Sequence, residues 1–148
     1  MSADLNAVAD EIKRRVQVAL PDIEVHIGTV LSIGGSPYAT INWSNVDLSD
    51  LAGGASYTLD SAFIPSRFIV MVFWSVDKTS NEINEANERA LMGAVGALSE
   101  QLAYFKVDGL EVRALLDTMA SAEDTVSSYK VRVLSVELEL PFDSVSTG

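Results

Sequence analysis

Arg67-Phe68-Ile69-Val70-Met71-Val72-Phe73-Trp74-Ser75-Val76 is apolar almost without a break. A strand with one wet face alternates apolar and polar residues. This one barely does, and it reads as a central strand covered on both sides. Thr79-Ser80-Asn81-Glu82 then has the form of a capping box, with Thr79 capping the first turn and Glu82 reaching back. The helix predicted from Asn81 to Phe105 carries Leu91, Val95, Leu98, Leu102 and Phe105 on one stripe. Beside it runs a stripe of small residues, Ala86, Ala90, Gly93 and Ala97. Two adjacent stripes predict two packing partners, one of which can approach closely.

Upstream, Leu5, Val8, Ile12, Val16 and Leu20 recur at helical spacing. Ser2 is placed to cap this helix, and Pro21 ends it, because the residue before proline is pushed out of helical geometry. Ile23-Glu24-Val25-His26-Ile27 alternates as a strand, and Val30 to Ile33 could extend it past Gly28. Gly34-Gly35-Ser36-Pro37 has turn chemistry, so Tyr38 to Trp43 is predicted to return as the second arm of a hairpin. The pattern disappears from Ser44 to Ser66, which predicts a long irregular loop or a loose hairpin extension. Its apolar residues Tyr57, Leu59, Phe63 and Ile64 need a partner surface to cover them.

Downstream, Gly109 can punctuate the end of the helix, and Leu110 to Ala114 alternates as a short strand. Asp117 to Ser128, acidic and rich in small residues, reads as a second loop. Both loops are expected to order on assembly. The last strand is predicted from Tyr129 to Leu140, stopped by Pro141, with residues 143–148 as a tail. Val131 and Val133 fall on one face of it and Leu134, Val136, Leu138 and Leu140 on the other. That phase change signals a β-bulge or a change of packing partner. The order of elements gives a single α+β domain over residues 1–148: a mostly antiparallel or mixed β-sheet covered by two main α-helices.

The chain has 148 residues, 48% of them hydrophobic, enough to build a core. Its longest apolar run, Phe68 to Trp74, is far short of the roughly 18 residues of a membrane span. Met1-Ser2-Ala3-Asp4 lacks the basic and apolar regions of a signal peptide, so the chain is expected to be made and kept in a cytoplasm. There is no cysteine, which excludes disulfides, thiolate metal sites and thiol nucleophiles. The 21 acids and 10 bases leave a net charge of −11. That balance argues against a protein that grips DNA by its phosphates.

No residue qualifies as catalytic, cofactor-binding or metal-binding. His26 is the one histidine; it sits mid-strand, without the nucleophile elbow of a Ser-His-Asp site. Glu82, Glu85 and Glu88 share a helical face. They could serve as acid and base, but they also suit the wet side of a helix, with Arg89 placed to pair with Glu85. Asp117, Glu123 and Asp124 lack the spacing of a calcium loop. Gly34-Gly35 and Gly53-Gly54 lack the lysine and spacing of a phosphate loop. Trp43, Phe73 and Trp74 are not interleaved with bases, as a nucleic-acid stacking platform would require.

The amphipathic helix stopped by Pro21, the strands around Val25-His26 and Tyr38 to Trp43, the long loop, the apolar strand Phe68 to Trp74, the helix from Asn81 and the closing strand Val131 to Leu140 share an order. Together they resemble the tail terminator, or tail completion, proteins of long-tailed bacteriophages. The likeness covers nearly the whole chain and rests on element order and size. It implies a non-enzymatic structural subunit of the virion, made in the host cytoplasm and placed at the head-tail junction. Such subunits form a homo-hexameric ring that caps the tail tube, ends its polymerisation and meets the head connector. DNA passes the lumen without specific binding, which an acidic lining would favour. Another phage neck or head-tail connector component remains open, as does a small cytoplasmic enzyme or ligand-binding domain.

Overall fold

A computed structural model of the chain describes residues 4–30, 37–45, 66–126 and 129–140. Among these residues two helices, α1 (Leu5–Ala19) and α2 (Asn81–Leu102), lie with six strands: β1 (Glu24–Ile27), β2 (Tyr38–Asn45), β3 (Ser66–Ser75), β4 (Tyr104–Val107), β5 (Leu110–Val126) and β6 (Tyr129–Leu140). The strands form one mixed sheet in the order β1-β2-β3-β6-β5-β4. The α+β class and the single domain agree with the sequence reading. The Gly34-Gly35-Ser36 turn, most of the 44–66 loop (46–65) and the 143–148 tail lie outside the described residues.

β3 is central, paired along its length with β2 on one side and β6 on the other, both antiparallel. Alternation puts Phe68, Val70, Val72 and Trp74 on one face, beside Leu138, Val136 and Leu134 of β6. All are buried, together with Val8, Ile12 and Val16 of α1 and Leu91, Ala94, Leu98 and Leu102 of α2. Both helices therefore cover the same face. The opposite face of β3 is only half-covered: Ile69 and Met71 are half-buried, Arg67 is exposed, and Phe73 alone is buried. The expectation of cover on both sides holds at that end only. There the Phe73 ring stacks on Tyr38, with centroids 4.8 Å apart and planes 14° from parallel. Val131 and Val133 complete the small cluster. This explains the phase change of the last strand. β6 keeps one continuous register with β3, and its apolar residues change face because they change packing partner.

Several sequence expectations are corrected. Asp4 rather than Ser2 caps α1, its carboxylate accepting from Ala7 N at 3.2 Å. Ser80 rather than Thr79 caps α2, its Oγ accepting from Ile83 N at 3.2 Å. The Thr79 amide and hydroxyl are instead taken by the Asp77 carboxylate, at 2.8 and 2.9 Å. Asp77 also accepts from Ser80 N, so it outcompetes Glu82 for the local donors. β1 and β2 are parallel, not a hairpin: the chain leaves the sheet after Ile27, and β2 starts beside Glu24. Gly28, at φ +95°, begins that departure. α2 stops at Leu102, and Phe105 is buried from β4. The reason is Asp108-Gly109, at φ 49° and 85°. Two consecutive left-handed residues make a tight hairpin turn that draws Tyr104–Val107 into the sheet.

The largest correction concerns residues 117–126, expected to be a loop. They belong to β5, which runs through Val126 and pairs with β6 down to Val126↔Tyr129. The register shifts between Leu115 and Ala120, and this β5 irregularity bends the strand. Thr118 closes it by donating to Leu115 O and accepting from Glu137 N at 3.3 Å. Weak propensity is overridden by β6, whose backbone supplies the missing partners. Beyond the irregularity, Arg132 of β6 holds Glu88 of α2 through two hydrogen bonds of 2.8 and 2.9 Å. That bidentate pair fastens the hairpin to the helix.

Two outcomes follow for the folded state. Leu98→Ala removes a fully buried side chain beneath α2 and should cost about 3 kcal/mol, read from the shift of the urea midpoint. The Arg132 hydrogen bonds hold the Glu88 carboxyl below its ordinary value of 4.5. A depressed carboxylate contributes stability above that ordinary value and loses it as pH falls through the folded one. The melting-temperature gap between the wild type and Glu88→Gln should thus be widest near neutrality and close below about pH 4.5.

Candidate assembly surface

α2 uses one side for the core and leaves the rest to water. Leu91, Ala94, Leu98 and Leu102 face the sheet. The Ala94 position replaces Val95 of the predicted stripe, because a turn of 3.6 residues keeps 94 aligned with 91 and 98. Val95 is 37% exposed, Met92 58% and Ile83 48%. Ala86, Ala90 and Gly93 are also exposed, and Ala97 is half-buried. The small stripe foreseen in the sequence is therefore real, and within the described chain little covers it. A Cβ placed on Gly93 or Gly96 would meet nothing within 4 Å. Small residues here do not answer to crowding inside the subunit.

α1 steadies α2 from one end. Arg15 donates to Gln101 O at 3.0 Å, satisfying a carbonyl in the last turn. Its guanidinium lies 4.3 Å from the centroid of the Phe105 ring. Glu11 accepts from Arg14 and Arg15, and the Arg14 hydrogen bonds are the first cause holding its carboxyl below the usual range. The Lys13-Arg14-Arg15 cluster is thus partly committed inside the subunit.

The carboxylates weighed in the sequence do not converge. Glu82 is exposed, and Glu85 pairs with Arg89 at 3.0 Å, as its spacing predicted. Glu88 serves the bridge to Arg132. Asp117, Glu123 and Asp124 are exposed along β5. Asp124 accepts from the adjacent Thr125 N at 2.7 Å, and Glu123 lies across from Arg132 in the ladder. Among the described residues no three histidine, aspartate or glutamate side chains gather to hold a metal ion. His26 is half-exposed on the face of the sheet opposite α1 and α2, its Nε2 3.5 Å from Glu24 Oε2. Trp74 is buried, whereas Trp43 is 46% exposed.

The face opposite α1 and α2 carries cross-strand ion pairs, Arg67–Glu137 at 3.3 Å and Arg113–Glu139 at 2.8 Å. Such exposed pairs contribute little to stability and serve mainly to keep this face wet. Tyr104 donates to Glu111 at 3.0 Å beside them. The outer half of β5 stands apart from all of this. Residues 120–125 are exposed and Val126 is half-buried. Among the described residues only β6 pairs with them, because β4 reaches no further than Arg113. Sequence reasoning missed this arm for lack of apolar alternation.

Among the described residues no helix is long and apolar enough to cross a membrane. No protein-family model and no curated protein matches the sequence. The chain is similar in fold to a solved structure of 11% sequence identity, with a TM-score of 0.55 over 95% of this chain and 98% of the other. At that identity the likeness speaks for the fold alone: the α+β architecture occurs, end to end, in another protein of similar extent.

Proposed function

We propose that this chain is a structural subunit of the tail-terminator type: it assembles head to tail into a ring, taken as six copies, that caps a phage tail tube and meets the head connector. The observation that carries the reading is the outward side of α2. Ile83, Met92 and Val95 are large apolar residues left in water on a helix whose other exposed positions include Ala86, Ala90 and Gly93. Such a surface favours close helix approach by a partner, and a partner of the same kind is the economical choice for a closed assembly. The element order that prompted the resemblance also supports it: helix, paired strands, central strand, long helix, closing hairpin. The net charge of −11 suits a ring through which DNA slides, since carboxylates repel phosphates.

Light scattering at high concentration, alone and with tail tubes, tests the assembly. A six-copy mass in either case is the expected result, and a strict monomer in both removes the reading. Ala90→Arg should abolish the oligomer while shifting stability by no more than about 0.5 kcal/mol, because Ala90 is exposed in the subunit. The wild type should leave duplex DNA unshifted in a gel at physiological salt. Micromolar binding that weakens steeply with salt would reveal a basic lining and overturn the repulsive channel.

A further inference from the structure

Among the described residues the sheet ends in two different open edges. At one end, β1 pairs with β2 and with no other described strand. At the other, residues 120–126 of β5 pair with β6 and with no other described strand, past the point where β4 stops. An extended strand exposed on both faces and along one edge presents a row of unpaired N–H and C=O groups. We infer that this arm of β5 receives β1 of a second copy of the chain, so that one sheet runs from subunit to subunit. The inference rests on the ring reading and names its contact.

Strand direction makes the fit. Taking β1 as running up, β2 runs up, β3 down, β6 up and β5 down. A second copy that keeps its helices on the same side of the sheet and offers β1 to this edge must run its β1 up. The pairing is then antiparallel, like that of β4 with the inner part of β5. The incoming β1 occupies the free place in line with β4. Its four residues fit within the stretch 120–126. Alternation puts His26 of β1 on the face opposite α1 and α2, the same face as Ala120, Ala122 and Asp124 of β5.

Charge argues against the symmetric alternative. Two β5 arms meeting across a two-fold axis would also be antiparallel. They would bring Glu123 and Asp124, in the middle of the open stretch, close to the same acids of the other copy, and like charges across a ladder repel. β1 brings a single acid, Glu24, at its first position and within 3.5 Å of His26. Pairing between unlike edges is head-to-tail, the kind that closes into rings.

The chain has no cysteine, so disulfide trapping reads the contact cleanly. One preparation carries His26→Cys. Others carry Ala120→Cys, Ala122→Cys or Asp124→Cys in turn, to scan the register. All these positions are exposed or half-exposed, and circular dichroism checks that each variant folds. Under a mild oxidant, the mixture of His26→Cys with one of the β5 variants should give a disulfide-linked dimer that neither variant gives alone. The double variant should give a ladder ending at the copy number of the ring. A β5 variant that cross-links with itself as fast as in the mixture overturns the inference in favour of symmetric pairing. No cross-link in any mixture also overturns it. If light scattering shows an oligomer in those same samples, the ring survives and only the strand addition fails. If it shows monomers, both fail.

Discussion

The placement of both helices on one face of the sheet is the constraint on which everything else depends. β3 supplies Phe68, Val70, Val72 and Trp74 to that face, and its neighbours β2 and β6 supply the rest. Burying this layer under α1 and α2 is the main apolar contribution to folding. Once both helices are spent on one face, the other must be polar or find its own cover. The chain does both: ion pairs over most of it, and the stacked Tyr38–Phe73 pair with Val131 and Val133 at one end.

The same constraint produces the surfaces left available to a partner. α2 lies on the sheet by one stripe and packs on α1, so its remaining sides are open. Among the described residues the sheet is not closed, so its edges are open as well. β5 is longer than β4 and projects past it, held to the body by the backbone of β6, by Thr118 at the irregularity and by the Glu88–Arg132 bridge. Open edges and exposed apolar helices are hazards for a monomer. In a subunit that works in a ring they are where neighbours would attach, and the proposed function asks nothing more of the chemistry than this. The scattered carboxylates and the half-exposed His26 are then surface groups with local partners, such as Glu85 with Arg89.

The readable part of the candidate surface was the small-residue stripe of α2. Ala86, Ala90 and Gly93 stood out because their spacing matched a helix whose core stripe was already accounted for. Its large companions were harder. Met92 and Ile83 carry no mark distinguishing an exposed apolar residue from a buried one, and Val95 was placed in the core by a spacing that Ala94 fits better. The β5 arm was unreadable for a different reason. Ala120-Ser121-Ala122-Glu123-Asp124 has the composition of a loop, and only pairing with β6 makes it a strand. Gly109 reads in sequence as the end of the helix, whereas with Asp108 it makes the turn between β4 and β5.

What the sequence by itself determined were the features whose cause is local or periodic: the stripe of α1, the stop at Pro21, the apolar run of β3, the length of α2 to within a turn, the change of face in β6 and the α+β class. Each follows from side-chain spacing or from a single backbone-restricting residue. Tertiary structure alone decided the features that depend on which strand lies beside which. The parallel pairing of β1 with β2, the capture of Tyr104–Val107 into the sheet, the extension of β5 through Val126 and the one-sided cover of β3 are of this kind. Backbone hydrogen bonds between strands carry no side-chain signature. A segment of weak preference takes its conformation from the edge it meets, and that edge is supplied from far along the chain.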